Sequence, residues 1–296
     1  MRSERGIALV AVLWFVVLLS LVAAAVLSTS RGVVRHAAAS VDRARAEALA
    51  DAGVAIALTT LLEPAHRQRL LTDGSVRAFG FGRDEVSISI QDEGGRIDLN
   101  EAEEPVLRGL FLSVGVAPDR ARALADAIID WRDEDQVPEP AGAEAEAYRA
   151  AGRPHGPANH RFRRVAELRA VLGMTRALYA KVAPALTVYS GSRHVDLSRA
   201  PAAVRAALAA AGLPVDPNSE QYRAWTGAGL ADSQVAGRSS VGRREIALPD
   251  SATDTYAIRA MARLADGTRF VRNAVVQLTV DPRWPYLVYR WAADDD

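Results

Sequence analysis

The sequence predicts an α+β fold: a long N-terminal helix packed on a small antiparallel sheet, with a large all-α domain inserted between early and late strands. Three observations carry this. Residues Ile7 to Leu27 are apolar apart from Ser20, and no proline interrupts the chain before Pro64. Strand-like alternation appears at Val86, Ile88 and Ile90 and returns at Tyr256, Ile258, Ala260 and Ala262. Between those stretches, from Glu101 to about Val188, the apolar spacing is helical.

The apolar run would form a helix about 30 Å long, the thickness of a bilayer's hydrocarbon core, so residues 7–27 are expected to be transmembrane. Ala23 to Ala25 also permit a cleaved secretory signal, but the run is long for one. Residues 28–64 continue the helix, with Ala38, Val41, Ala48, Ala52 and Ala55 as a narrow stripe of small residues for packing. Arginines lie on both sides of the span (Arg2, Arg5, Arg31, Arg35), so charge alone does not orient it.

Residues 65–100 open with a loop containing short extended pieces, followed by the Val86 strand, the Asp92–Gly95 turn and a short strand within Arg96–Asn100. Helices are expected from Glu104-Pro105 and from Pro118-Asp119, then around Phe162–Leu172 and around Leu178–Leu186. Ile97–Val116 and Val195–Leu213 form a weak repeat: Ile/Val-Asp-Leu, a capping Asn or Ser, then a helix closed by glycine. These units resemble helix-hairpin-helix modules, the second falling in residues 189–250. Asp98 and Asp196 read as their turn and cap residues. In residues 251–296, Arg269, Val271, Asn273 and Val275 alternate beyond an Asp266-Gly267 turn, and Trp284–Trp291 reads as an edge strand.

Composition excludes several functions. Thirty-six basic residues balance 36 acidic ones, which gives no support to a nucleic-acid partner. With no cysteine, thiolate catalysis, disulfides, iron–sulfur clusters and cysteine-bound zinc are ruled out. There is no Gly-x-Ser-x-Gly elbow and no phosphate-binding glycine loop. His155 and His160 read as loop residues.

The most chemically specific stretch is Asp130–Tyr148, DWRDEDQVPEPAGAEAEAY. Asp133 and Asp135 alternate on extended backbone, and Pro138, Pro140 and Gly142 permit a loop that returns Glu144 toward them. Hard oxygen donors without His or Cys suit Ca²⁺ better than Mg²⁺. On spacing alone, a solvated acidic loop is an equal reading.

The residues before the apolar run add a further signal. Arg5-Gly6-Ile7, a charged leader then a glycine and an abrupt apolar start, resembles the leader of type IV pilins and pseudopilins. That resemblance implies cleavage between Gly6 and Ile7 by a prepilin peptidase, with residues 1–6 as leader, and N-methylation of Ile7. Most of that superfamily has glutamate at the fifth mature position; here it is Ala11. The K-type minor pseudopilins of type II secretion lack this glutamate, and a subunit with no neighbour above it needs no buried charge there. Their Asp-Trp-x-Asp-x-Asp followed by Gly-Ala-Glu and Tyr is also similar to the loop here. The resemblance implies calcium held by Asp133, Asp135 and Glu144, with Asp130 as a further ligand or a buttress of its helix.

It further implies a non-enzymatic subunit at the tip of the periplasmic pseudopilus, with its helical domain inserted at residues 101–188. Such a subunit would initiate assembly with other minor pseudopilins through the N-terminal helix and support export across the outer membrane. The chain would sit in the inner membrane of a Gram-negative bacterium, N-terminus cytoplasmic and bulk periplasmic. Its partners would be membrane lipid and the prepilin peptidase, extending to the inner-membrane assembly platform and exported proteins. The rival readings are a minor subunit of a type IV pilus or DNA-uptake fibre, a membrane-anchored DNA-binding protein using the helical hairpins, and a tethered hydrolase.

Overall fold

The computed structural model describes residues 4–63, 72–226 and 254–294; the side chains of residues 4–9, where the expected cleavage point falls, and of residues 25–35 lie outside that description. Helix α1 runs over Glu4–Leu62, 59 residues and about 90 Å of continuous helix. Nothing in the sequence stops it before Pro64, and the residue ahead of a proline is driven out of the helical region.

Its inward face is Ala46, Ala50, Gly53, Val54, Ala57 and Leu61, spaced three and four apart. The expected stripe is therefore corrected. Val41 is 66% exposed, Ala48 and Ala55 are exposed, and the helix turns the adjacent face to the sheet. Alanine is common all round this segment, so small residues set no phase; Val54, Leu58 and Leu61 do. Gly53 explains how close the approach is. A Cβ there would lie 2.7 Å from Val86 Cγ1 and 3.0 Å from Ala260 Cβ.

A second correction concerns the membrane. Among the described residues no helix is long and apolar enough to cross one. The transmembrane assignment of residues 7–27 falls with that, and so does the single-pass inner-membrane placement drawn from it. Trp14 and Phe15 are 70% and 64% exposed on this half of α1.

The sheet is antiparallel throughout, in the order β1(Asp73–Phe81), β2(Asp84–Asp92), β5(Thr255–Arg263), β6(Arg269–Leu278), β7(Tyr286–Ala293). Strand β2 pairs directly with β5, from Glu85↔Arg263 to Asp92↔Tyr256, although more than 160 residues of chain separate those ends. The helical part is thus an insertion between adjacent strands. Val86, Ile88, Ile90, Tyr256, Ile258 and Ala260 bury one face under α1.

Two strands differ from their reading. Residues 73–81 form a full strand rather than short pieces in a loop, turning at Gly82 with φ +66°. Strand β1 is an edge whose Val76, Phe79 and Phe81 stay exposed, so no buried face imposed an alternation on its sequence. In β6 the face turned to α1 is Phe270, Arg272, Ala274, Val276 and Leu278, one residue out of step with the alternation read from Arg269. An arginine at an inward position hides that phase.

The insertion opens on a short strand, β3(Ile97–Asp98), which pairs in parallel with β4(Leu186–Thr187). It then carries α2(Glu104–Ser113), α3(Pro118–Arg132), α4(Ala145–Ala150), α5(Arg176–Val182) and α6(Ala202–Ala210). The helix expected around Phe162–Leu172 is a 3₁₀ turn at Val165–Ala170. All these elements share one core around Leu107, Phe111, Leu124, Ile128, Leu168 and Val204, distinct from the core under α1.

Both halves of the sequence repeat lie in this core, and their helices α2 and α6 pack together. Asp98 and Asp196 each accept from the backbone two residues on, Asn100 N at 2.8 Å and Ser198 N at 2.9 Å. Gly109 lies at the crossing: a Cβ there would overlap the Ala207 carbonyl and stand 2.6 Å from Ala211 Cβ. Gly109→Ala is expected to lower stability by roughly 2–3 kcal/mol, because the neighbour that must yield is backbone. A urea titration within 0.5 kcal/mol of wild type would contradict the tight crossing.

Candidate metal centre

The acidic loop hangs between the ends of two helices. Asp133 follows the last residue of α3, with extended backbone (φ −81°, ψ 167°) that ends the helix. Glu144 caps the start of α4 without a side-chain capping bond, so its carboxylate is left for other partners. Asp135 lies between them on the loop. One carboxylate oxygen from each of Asp133, Asp135 and Glu144 falls within 4.8 Å of the others, the sole grouping of three metal-capable side chains among the described residues.

Asp130 holds the loop in place. It is fully buried at the end of α3, and its two oxygens accept from the backbone N–H groups of Glu139 (2.9 Å) and Ala143. Asp126, one turn earlier, accepts from Ala141 N at 3.0 Å. Two carboxylates on one face of α3 thus pin the returning strand of the loop, and they bring Glu144 back to Asp133. Gly142 is needed for this, since a Cβ there would stand 2.8 Å from Asp130 Cγ and overlap its oxygen. Asn159 supports the other side by donating to the Asp135 carbonyl at 2.8 Å, from a left-handed backbone with φ +50°.

Aromatic packing closes the floor. Trp131 stacks on Phe162 at 5.9 Å and lies 6.3 Å from Tyr148. The Tyr148 hydroxyl accepts from Leu172 N at 2.9 Å, and burial pushes its pKa up to about 12. Both aromatics act as packing rather than as donors to the cluster.

The electrostatics are those of an uncompensated anionic site. Burial first, and then the neighbouring carboxylates, push the Asp133 and Glu144 carboxyls above their ordinary range. Asp130 shifts the same way, mainly by burial, against the pull of its two backbone donors. Asp133 Oδ1 and both Glu144 oxygens are buried without a hydrogen-bond partner. Unpaired buried acceptors on converged carboxylates are costly unless something cationic fills the space. Such a cluster can coordinate a metal ion. All-oxygen donors, with loop carbonyls and water to complete the shell, fit a hard divalent cation.

The three converging carboxylates, Asp130 and the loop-permitting Gly142 are legible in the sequence, whereas Asp126 and Asn159 are not. Asn159 was passed over beside His155 and His160, and neither histidine belongs to the cluster. A non-glycine residue needing left-handed backbone is often an asparagine, which is the signal that could have found it.

Comparison with known proteins bears on the same region. The sequence model of the type II secretion system (T2SS) protein K family matches residues 87–191, which contain the whole acidic loop. That stretch of the chain is similar to this family. The type II secretion system protein K of Dickeya chrysanthemi is 41% identical over 28% of this chain and 22% of its own length. That of Klebsiella pneumoniae is 27% identical over 62% of each. The chain therefore spans less than two thirds of the length of these relatives. A chain from the crystal structure of the GspK-GspI-GspJ complex of the enterotoxigenic Escherichia coli type 2 secretion system shares the fold. Its TM-score is 0.54 at 17% identity, covering 90% of this chain and 99% of that one.

Proposed function

We propose that this protein is a minor pseudopilin of the type II secretion system, a non-enzymatic structural subunit at the tip of the pseudopilus. The observation that carries the reading is the family match over residues 87–191 joined to a fold shared across 90% of the chain. The similar chain of known structure comes from a complex with GspI and GspJ. By analogy, this chain would join two other minor pseudopilins and prime assembly that supports protein export. The face it offers is the half of α1 that the sheet does not cover, where Val10 to Val22 are exposed and apolar. The helical insertion would cap growth by its bulk. Ala11, in place of the usual glutamate, suits a subunit with nothing above it.

In the same reading, Asp133, Asp135 and Glu144 hold Ca²⁺, and Asp130 positions the loop. The ion would neutralise the cluster and order the loop, with no reaction performed on it. Gly6-Ile7 is the proposed point of prepilin peptidase cleavage and N-methylation.

Two measurements test this. Mixed with the I-type and J-type minor pseudopilins of the same organism, the chain should elute as a 1:1:1 complex by light scattering. Persistent separate elution of all three would remove the tip reading. Intact mass after co-expression with a prepilin peptidase should show a chain beginning with methylated Ile7, and retention of Met1–Gly6 would remove the pathway.

A further inference from the structure

A cleft of about 520 Å³ separates the face of the sheet opposite α1 from the helical insertion. Its floor is the outward-facing side chains of β5 and β6, including Arg259, Asn273 and Val275. Its roof is Tyr179 and Tyr189, from the insertion. Nothing in the proposed filament role uses it.

The cleft is preformed, because the two bodies that wall it are fastened at one end. Arg199 pairs with the fully buried Asp92, and Gln91 Nε2 donates to the carbonyls of Asp92 (2.8 Å) and Arg199 (3.2 Å). Asp196 N donates to the Gly94 carbonyl at 2.8 Å. Gly95 packs so closely that a Cβ would lie 2.7 Å from the Arg199 carbonyl carbon. A joint this tight does not let the walls close on each other, and a volume in the range of known ligand sites is held open.

Its charges do not balance. Glu93 is buried and paired with Arg96 at 3.0 Å, and Asp294 is paired with Arg259 at 2.7 Å. Arg290 also lines the cleft and has no carboxylate partner among the described residues. Arg96 spends one nitrogen on Glu93 and keeps its Nε buried without an acceptor. Beside this cationic excess, Tyr189 stacks on Tyr289 with ring centroids 5.9 Å apart. An unpaired guanidinium next to an aromatic wall suits a planar carboxylate attached to a chain that can lie along the rings.

We infer that this cleft binds an acidic peptide segment, with a carboxylate on Arg290 and the peptide's flanking side chain against Tyr189. The inference is independent of the secretion reading, since it uses only the walls and charges of the cleft.

The test uses the full chain with 1 mM calcium and a fluorescein-labelled octapeptide of alternating aspartate and tyrosine. A second octapeptide has lysine for aspartate. Anisotropy should show saturable binding of the acidic peptide alone, weakening as salt rises. Arg290→Glu should weaken it at least tenfold, while Arg283→Glu, the same charge change at an exposed position outside the cleft, should change it less than twofold. Both positions are exposed, so thermal melts should show each variant folded. Three results overturn the site: equal binding of both peptides, no binding up to 1 mM, or equal losses in the two variants.

Discussion

Calcium added to EDTA-treated protein is expected to raise the thermal midpoint by several degrees, and Asp133→Asn with Asp135→Asn should abolish the rise. Three carboxylates are held within 4.8 Å, and two of them have buried oxygens without partners. A ligand that binds only the folded state stabilises it by about 2.7 kcal/mol at a hundredfold excess over its dissociation constant. The sign of the pH dependence follows from the upward shifts of Asp133 and Glu144. A carboxyl raised in the folded state costs stability wherever it must be ionised, and the cost fades as pH falls through the folded value. Protons then compete with the ion for the same oxygens. The increment from calcium should therefore be largest at neutral pH and shrink toward pH 5, with magnesium giving less at either. Melts by circular dichroism in 1 mM calcium against EDTA, at pH 7.5 and pH 5, read all of this. If the doubly substituted chain gains as much from calcium as wild type, the cluster is not the site.

The cluster was more legible in the sequence than the scaffold that makes it. Asp133 and Asp135 alternate on extended backbone, a pattern that can be read without a structure. The return of Glu144 depends on Asp130 and Asp126, which are buried carboxylates that spend their oxygens on loop backbone. From sequence such residues look like more acidic surface. In the fold, the strands with a buried face announced themselves, and β1 did not because both its faces meet solvent over most of its length. The phase of α1 was lost among alanines, where burial is decided by what the sheet presents. The phase of β6 was lost because the residue facing inward at its centre is Arg272.

That arginine carries the other large expectation: Arg272→Ala should destabilise the helix-sheet core by on the order of 3 kcal/mol, the lower end for breaking a buried ion pair. Its side chain is 8% exposed, with Nε 2.6 Å from Asp51 Oδ1 and Nη2 2.6 Å from Glu47 Oε1 on α1. The guanidinium also lies over Phe270 at 4.9 Å and Trp291 at 5.4 Å, which ties β6, β7 and α1 through one group. The interface it crosses is made largely of Ala46, Ala50, Gly53 and Ala57, small residues that bury little apolar area each. Directional charge pairs therefore matter more here than in a leucine-rich core, and Arg45 with Asp84 at 2.6 Å repeats the device further up the helix. Glu47 and Asp51 are partly exposed, so water can take over their hydration after the substitution, which keeps the loss at the lower end. Arg272→Met should recover part of it by restoring contact with the two rings without the charge. The two cores share no buried residue, so the loss should add to that of the Asp133/Asp135 substitutions and leave the calcium increment unchanged. Urea titrations of the single and combined variants decide it. A cost below 1 kcal/mol for Arg272→Ala would mean that α1 is held by its small-residue packing alone, and a calcium increment that changed with it would mean the two cores are coupled.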